Sequence, residues 1–441
     1  MKRSATTTIV LASMIALSAC GAFKGGKKKT PTLGDRVPIL ASESAAEPDA
    51  TIAGVQVLLP PAAVNDAWTQ PGGDAAKSMG QLALSANPSR IWSASINGGS
   101  PRERLAASPV ISDGVLYVID VDATVHAFKA DSGAKIWSQS ITEDRENKSA
   151  HFGGGVSFDT GKLFATDGLG DVVALNAADG KILWRAKPGG PLRGAPTLSN
   201  GSVYVVSQDN QITALSQDTG NVQWQQVGSL ESQGVFGVAA PAAGRGTVVV
   251  GFSSGELNAY RYENGRTLWQ DTLSRTSVTT SVSSLADIDA DPVIDENRVY
   301  AVGQGGRMVA LELTTGRRVW EQNFAGISTP WLAGEWLFVV TDDARLVCIS
   351  RGNGKVRWIA DLGGFTNMKK RKGRTINWVG PVLAGNRLIV GNSEGRLAFV
   401  SPTDGAIVQT MKGFAPITLP PVVANNTLYV LDQKGKITAY R

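Results

Sequence analysis

Short stretches of strand-forming apolar residues recur along this chain, separated by polar segments that contain Asp, Asn and Gly. Each stretch holds consecutive residues mainly of the Val, Leu, Ile, Phe and Tyr type, which fit the pleated surface of a β-sheet. They follow one another at intervals of about 40 to 50 residues, which indicates a repeat architecture. The eight stretches lie at residues 116–118, 163–165, 203–205, 248–250, 299–301, 337–339, 388–390 and 428–430.

A second pattern accompanies these stretches: a small residue ends a strand, a Gly follows six positions later, and a Trp follows four positions after the Gly. The Gly lies in a turn such as Asp179-Gly180, where the Asp side chain stabilises the turn and Gly accepts a positive φ. The Trp is predicted on the outermost strand of a sheet, where its ring covers the seam with the next sheet. Seven copies occur, two of them variants: Ala127/Gly133/Trp137, Ala174/Gly180/Trp184, Ala214/Gly220/Trp224, Ala259/Gly265/Trp269, Ala310/Gly316/Trp320, Cys348/Gly354/Trp358 and Phe399/Gly405/Gln409.

The two ends of the chain supply the missing eighth unit. Residues 437–441 stop one strand short of a complete unit, and an unmatched outer strand stands at residues 90–92. Pairing the two removes open sheet edges. In the seventh unit, Gln409 replaces the Trp and Phe399 replaces the small residue. We interpret this exchange as a shift of side-chain volume across the seam. The sequence therefore predicts an all-β fold, an eight-bladed β-propeller of four-stranded antiparallel blades over residues 87–441, closed by pairing the N- and C-terminal strands.

The N-terminus has the pattern of a bacterial lipoprotein signal. Lys2 and Arg3 precede an apolar stretch over residues 9–17, and the tetrad 17–20 matches a lipobox ending in Cys20. We expect a signal peptide over residues 1–19, acylation of Cys20, and a lipidated tether and linker over residues 20–86 that lies on the ring. Gly21 after the Cys favours the outer membrane and its periplasmic face, and no later apolar run reaches the roughly 18 residues that cross a bilayer.

Charge and cysteine content exclude several classes of protein. Six of the 43 basic residues precede Thr30, where no acidic residue occurs, and the remainder nearly balances 38 acidic residues. A nucleic-acid-binding surface is therefore not indicated. Apart from Cys20 the only cysteine is Cys348, so an intrachain disulfide is excluded and a buried structural thiol is expected.

Catalytic and metal-binding patterns are absent from the sequence. The two histidines, His126 and His151, belong to no metal-ligand spacing, and no nucleophile motif occurs. We therefore expect no enzyme activity, no cofactor and no metal. The alternating carboxylates Asp287, Asp289 and Asp291 lack the bidentate Glu of a calcium loop, so solvated-loop and protein-contact interpretations remain open for them. The basic run at residues 369–374 is likewise open between a solvated loop and a contact with lipid headgroups or acidic protein.

The chain resembles the BamB family, the lipoprotein subunits of the β-barrel assembly machinery of Gram-negative outer membranes. The resemblance rests on the lipobox, the Trp-anchored repeats, the leader at residues 68–73 and the segment at residues 285–292. It implies a non-catalytic scaffold that binds the periplasmic domains of the central barrel-inserting subunit and aids the assembly and insertion of β-barrel proteins. Unfolded outer-membrane proteins are implied as further partners.

The resemblance also implies the contact residues, on two loops. An acidic motif of two Asp residues around one apolar residue falls on Asp287, Ile288 and Asp289, after Leu285. A preceding loop, expected as apolar residues ending in an Arg, falls on Val235 and Phe236, where Phe236 takes the place of the Arg. An aromatic anchor there would still suit an interface.

Two other functions share the same repeat. A quinoprotein dehydrogenase would hold pyrroloquinoline quinone in the central channel of the propeller. Many such enzymes hold this cofactor with a disulfide between adjacent cysteines, which this chain cannot form. A lipid-anchored propeller that binds a carbohydrate or another periplasmic protein is the remaining alternative, because propeller rims are general binding surfaces.

Overall fold

The computed structural model of the chain describes residues 46–100, 102–143, 153–229, 239–273, 286–367 and 372–441. These ranges fall within one compact unit, Ala45–Arg441. The predicted lipidation residue Cys20 and the predicted contact residues Val235, Phe236 and Leu285 lie outside the described ranges, as does His151, and the expectations for them stay predictions.

The described strands form eight four-stranded antiparallel sheets, so the predicted blade count and blade composition are confirmed. A strand near the N-terminus, β1 (Arg90–Ser95), precedes seven complete blades and joins the last one. The first four blades in chain order are blade 1, β2 (Val110–Ser112), β3 (Val115–Ile119), β4 (Thr124–Lys129) and β5 (Lys135–Ser140); blade 2, β6 (Val156–Asp159), β7 (Lys162–Thr166), β8 (Val172–Asn176) and β9 (Ile182–Ala186); blade 3, β10 (Thr197–Ser199), β11 (Ser202–Val206), β12 (Gln211–Ser216) and β13 (Val222–Val227); and blade 4, β14 (Ala242–Gly244), β15 (Thr247–Gly251), β16 (Glu256–Arg261) and β17 (Thr267–Thr272).

The second half of the chain repeats this arrangement, with one two-stranded hairpin inserted between blades 6 and 7. Its strands are blade 5, β18 (Val293–Asp295), β19 (Arg298–Gly303), β20 (Arg307–Glu312) and β21 (Arg318–Gln322); blade 6, β22 (Trp331–Ala333), β23 (Trp336–Val340), β24 (Arg345–Ser350) and β25 (Val356–Asp361); the hairpin, β26 (Phe365–Asn367) and β27 (Lys372–Thr375); blade 7, β28 (Trp378–Ala384), β29 (Arg387–Asn392), β30 (Arg396–Val400) and β31 (Ile407–Lys412); and blade 8, β32 (Val422–Ala424), β33 (Thr427–Leu431), β34 (Lys436–Tyr440) and β1.

The two ends of the chain close the ring as predicted. Strand β1 pairs antiparallel with β34, placing Trp92 opposite Ala439 and Ser95 opposite Lys436. Blade 8 thus takes its outer strand from the N-terminal side and its other three strands from the C-terminus. The pairing leaves no gap in the ring for a foreign strand to fill.

The Ala, Gly and Trp of each repeat meet at the seams between blades. In blade 1, Ala127 lies directly opposite Trp137, and the indole Nε1 donates to the carbonyl oxygen of Ala177 in blade 2 at 3.0 Å. A Cβ on Gly180, whose φ is +74°, would lie 2.6 Å from the Trp137 ring. The Gly is therefore required both by the turn and by the Trp of the preceding blade. The same indole-to-carbonyl hydrogen bond occurs at Trp92, Trp184, Trp224, Trp269, Trp320 and Trp358.

The seam between blades 7 and 8 is built differently, and this explains Gln409. At the other seams the Trp bonds to the turn between the third and fourth strands of the next blade, but in blade 8 these are β34 and β1, at opposite ends of the chain. Here Arg387 donates to Gln409 Oε1 at 2.9 Å and to the carbonyl oxygens of Ser85 and Ala86 at 2.7 and 2.5 Å. The guanidinium thus binds the chain that leads into β1.

The first strand of each blade is an edge strand of its sheet, and first strands of neighbouring blades contact one another at β2 with β6, β6 with β10, β10 with β14, β14 with β18 and β22 with β28. Residues 65–82, which we call the channel segment, lie beside these first strands. The segment makes a hydrogen bond to every blade, in the order in which the blades follow one another round the ring. Its contacts are Asn65 with Val423, Trp68 with Ile111, Thr69 with Phe158, Gln70 with Leu198, Ala75 with Ala243, Ala76 with Ile294, Gly80 with Trp331 and Leu82 with Leu383.

Among the described residues, no helix has the length and apolar character needed to cross a membrane.

Candidate functional site

The predicted acidic motif lies in the connection from blade 4 to blade 5, on residues 286–292, which we call the acidic connection. The central residue of the motif, Ile288, is fully buried. A Cβ on Gly251 would lie 2.3 Å from the Ile288 side chain, so a glycine of blade 4 makes room for it. The Ile288 N–H donates to the carbonyl oxygen of Phe252 at 3.2 Å. Ile288 therefore anchors the connection to blade 4 and fixes the positions of the Asp residues on either side.

A buried arginine from another blade pairs with both of these Asp residues. Arg193 lies in the connection that precedes β10 of blade 3, and its Nη2 donates to Asp287 Oδ1 at 2.6 Å and to Asp289 Oδ1 at 3.0 Å. Arg193 and Asp287 are each 1% exposed and Asp289 is 9% exposed. The cluster therefore joins the connections before blades 3 and 5 into one charged unit.

Gln304, just after β19 of blade 5, completes this arrangement. Its Nε2 donates to Asp289 Oδ2 at 2.6 Å, and its N–H donates to the carbonyl oxygen of Asp287 at 2.9 Å. Burial and the neighbouring charge of Asp287 raise the pKa of Asp289 to about 7, although Arg193 opposes the shift. One arginine thus faces two carboxyl groups, and burial favours a proton on one of them.

A third buried carboxyl group of the acidic connection, Asp291, interacts with the neighbouring connections and with Lys77 of the channel segment. Its Oδ1 accepts the N–H of Ala240 at 2.7 Å, and its own N–H donates to Thr329 Oγ1 at 3.2 Å. Burial raises the pKa of Asp291, and the positive charge of Lys77 opposes that shift. Asp291 therefore ties the connections before blades 4, 5 and 6 to one another.

The structure thus brings together Asp287, Ile288 and Asp289 and adds Arg193, which the sequence analysis missed. The solvated-loop interpretation of the Asp residues is wrong, because Ile288 lies in the core and the side chains of Asp287 and Asp289 on either side of it are buried. The signal for Arg193 was present, since Leu192-Arg193 has the apolar-then-Arg pattern that was assigned to Val235 and Phe236. That assignment lies outside the described residues.

Groups typical of catalysis have structural roles where they are described. His126 Nε2 lies 2.8 Å from Asp120 Oδ2 inside blade 1. Burial raises the pKa of the Cys348 thiol, which lies opposite Trp358 as the small residue of its repeat. Among the described residues, no set of three or more His, Cys, Asp or Glu side chains could hold a metal ion.

The basic run at residues 369–374 falls partly outside the described residues. Arg374, on β27, donates to Glu394 Oε2 at 3.2 Å. The choice between a solvated loop and a contact surface for this run stays open.

Comparisons with known proteins give consistent results. A protein-family model described as outer membrane protein assembly factor BamB matches residues 78–150 and 121–360. Outer membrane protein assembly factor BamB of Shewanella oneidensis is 28% identical over 357 residues, 79% of this chain and 88% of the relative. The protein of the same name from Burkholderia pseudomallei is 29% identical over 359 residues, 80% and 87% of the two chains.

Solved structures show the same fold at lower sequence identity. The crystal structure of BamB from Moraxella catarrhalis superimposes with a TM-score of 0.67 and 19% identity, covering 80% of this chain and all of that one. A quinohemoprotein alcohol dehydrogenase from Comamonas testosteroni reaches a TM-score of 0.68 with 15% identity, covering 89% and 82% of the two chains. At such identities the likeness establishes the architecture and leaves function to the site.

Proposed function

The chain belongs to the outer membrane protein assembly factor BamB family, and we propose that it is a non-catalytic scaffold of outer-membrane β-barrel assembly. In this proposal Cys20 carries a lipid that holds the protein at the periplasmic face of the outer membrane. The propeller binds the periplasmic domains of the barrel-inserting subunit and so aids the insertion of β-barrel proteins. Unfolded outer-membrane proteins are proposed as further partners.

The observation that carries the proposal is the buried cluster of Arg193 with Asp287 and Asp289. Burying three charged groups costs free energy that the ion pairs only partly recover, so such a cluster is weak support for stability alone. Its geometric effect is to fix two connections between blades relative to each other. A partner surface that must match both connections would gain from this preorganisation.

We propose different roles for the predicted contact residues. Asp287 and Ile288 are enclosed by the ring, so we propose that they shape the acidic connection. Asp289 retains some exposure and is proposed to meet the partner, together with Leu285 and with Val235 and Phe236 of the preceding loop. Leu192 and Arg193 are proposed to support the same surface from blade 3.

We propose no catalytic activity for this chain. The relatives in its family bear the names of assembly factors, and the likeness to dehydrogenases extends only to the fold. The channel segment also lies beside the first strands of the blades, bonded to all eight blades.

The test is a binding assay between the full-length lipoprotein in detergent and the purified periplasmic domains of the barrel-inserting subunit. The double variant Asp287→Asn, Asp289→Asn keeps side-chain shape but leaves Arg193 without a charged partner. We expect it to bind at least about tenfold more weakly, as truncation of one side of a buried charged pair does.

The matched control is Asp120→Asn, which breaks the buried pair with His126 in blade 1, away from blades 3 to 5. It should bind like the wild type. Loss of binding in both variants would point to general damage, and unchanged binding in the double variant would move the contact surface elsewhere. A wild-type protein that fails to bind would overturn the scaffold proposal and favour a propeller for another periplasmic ligand.

A further inference from the structure

The channel segment carries a lysine whose charged end is enclosed by the protein. Lys77 is 2% exposed, and within the described residues its Nζ has no hydrogen-bond partner. An unpaired ammonium group in a protein interior is costly, so a nearby negative charge is needed to hold it there. The family-model match begins at residue 78, so Lys77 falls just outside it.

The backbone around Lys77 is shaped for this residue. Lys77 has a φ of +65°, a left-handed conformation that residues with a side chain seldom adopt. Its side chain passes Gly72 so closely that a Cβ there would lie 2.8 Å from Lys77 Cδ. The conformation is thus held by the surrounding chain, which is typical of backbone that serves a specific purpose.

The residues beside Lys77 bond to the two strands that follow the predicted contact loops. Ala75 accepts the N–H of Ala243 on β14, and Ala76 accepts the N–H of Ile294 on β18, both at 2.8 Å. Ser78 Oγ donates to Asp295 Oδ1 at 3.0 Å. Lys77 is therefore held beside β14 and β18, which directly follow Ala240 and the acidic connection in the chain.

Asp291 is the charge best placed to balance Lys77. Asp291 precedes β18 by two residues and Ile294 by three, and three residues span about 10 Å along a strand. The side chain of a lysine that lies beside Ile294 covers much of this distance. Burial lowers the pKa of Lys77, and the negative charges of Asp291 and Asp74 oppose that shift. Asp291 in turn accepts the N–H of Ala240, which follows Phe236 by four residues.

We propose that Lys77 is a positioning residue for the partner-contact loops, acting through Asp291. Its ammonium group, brought beside the first strands of blades 4 and 5 by the channel segment, holds the Asp291 carboxylate in place. That carboxylate holds both the acidic connection and the chain at Ala240. The assignment of these loops as contact loops rests on the proposed function, whereas the structural coupling does not.

The experiment uses the full-length protein and a cycle of three variants: Lys77→Met, Asp291→Asn and the two combined. Methionine keeps most of the unbranched side chain and removes the charge, and asparagine keeps the shape and the hydrogen-bond acceptor of Asp291. Hydrogen exchange at Ala240 and residues 286–291 reports on the loops without any partner. Affinity for the periplasmic domains of the barrel-inserting subunit is measured in parallel.

We expect each single variant to exchange about tenfold faster at Ala240 and to bind the partner about tenfold more weakly, because each leaves a buried charge uncompensated. The combined variant should return to within about threefold of the wild type, since contacting charges couple in a double-mutant cycle. A side chain that only fills space would not produce this rescue.

Wild-type exchange in Lys77→Met, or effects that simply add in the combined variant, would overturn the proposal. If Lys77→Met does not fold, the combined variant decides: folding supports the coupling and failure to fold rejects it. If the wild type does not bind the partner, the proposed function fails, while the exchange data still decide the role of Lys77. Altered exchange with unaltered partner binding would leave Lys77 a structural residue and reject its positioning role.

Discussion

The guanidinium carbon of Arg387 lies 4.7 Å from the centroid of the Phe399 ring, at the seam where Gln409 stands in place of Trp. This cation–π contact accompanies the hydrogen bonds from Arg387 to Ser85, Ala86 and Gln409. We expect Arg387→Met to destabilise the fold by about 1 to 3 kcal/mol, because it removes charge-assisted hydrogen bonds together with the contact on the buried Phe399 ring. Urea unfolding would measure it. A loss no greater than that of Arg374→Met, whose pair with Glu394 is more exposed, would contradict the assigned role.

The repeated tryptophans should differ from Gln409 in their contribution to stability. Trp224 is largely buried and donates from Nε1 to the carbonyl oxygen of Tyr262 in blade 4 at 2.8 Å. We expect Trp224→Ala to lower the free energy of unfolding by about 3 to 5 kcal/mol, as for other large-to-small core changes. Gln409→Ala should cost about 1 kcal/mol or less. Equal losses in urea unfolding would show that the indole contacts do not set seam strength.

The repeat glycines should resist substitution more strongly than their turns require. Gly180 and Gly161 both have a φ of +74°, but only at Gly180 does an added Cβ meet a ring, 2.6 Å from Trp137. Both Gly→Ala changes strain the backbone by about 1 kcal/mol, and Gly180→Ala adds overpacking of about 1 to 3 kcal/mol. The difference between their melting temperatures isolates the contact with Trp137. Identical melting temperatures would mean that the ring moves aside without cost.

Stability should depend on pH through Asp289. Its pKa is about 7 in the folded protein against an ordinary value of 3.8, so between these values the folded state holds a proton that the unfolded chain releases. The contribution of this group to stability is therefore fully present below about pH 4 and is lost as pH rises through about 7. Asp289→Asn should reduce the fall in unfolding midpoint between pH 5 and pH 8. Because burial also raises the pKa of Asp342, to about 6, the comparison is between variant and wild type at each pH. A variant whose pH profile parallels that of the wild type would show that Asp289 titrates in its ordinary range.

The predicted lipid anchor gives a separate test. Cys20→Ser should abolish acylation and shift the protein from the membrane fraction to the soluble periplasmic fraction. We expect this shift because no segment after Cys20 is predicted from the sequence to span a membrane. Mass spectrometry of the mature N-terminus and fractionation of the envelope would measure both effects. Retention of the variant in the membrane fraction would mean that another contact, such as the proposed assembly complex, is sufficient for retention.

The ring could be predicted from the sequence because its information is repeated. The Ala, Gly and Trp positions recur with fixed offsets, and the structure places Ala127 opposite Trp137 and Gly180 beneath the Trp137 ring. The closing strand was identified for the same reason, as one unmatched copy at each end of the chain.

Features that occur only once in the chain have no repeated pattern from which they could be predicted. The channel segment has no internal repeat, and its contacts join residues more than a hundred positions apart, as with Gln70 and Leu198. Arg193 pairs with Asp287 across 94 residues, and no local pattern links the two. The sequence shows which positions are charged, whereas the fold determines which charged side chains are buried together as ion pairs.

The order of the contacts of the channel segment has a consequence for how the protein is made. The segment lies near the N-terminus, yet its bonds reach blade 7 at Leu383 and blade 8 at Val423. It is synthesised early and lacks its final contacts until nearly the whole chain has been made. Such long-range closure is slow, because the entropy of a large loop is lost before the contacts that compensate for it form. A chain interrupted before β32 would therefore lack both closures of the ring at once, the paired ends and the completed channel segment, and its blades would form an open array with unprotected edges.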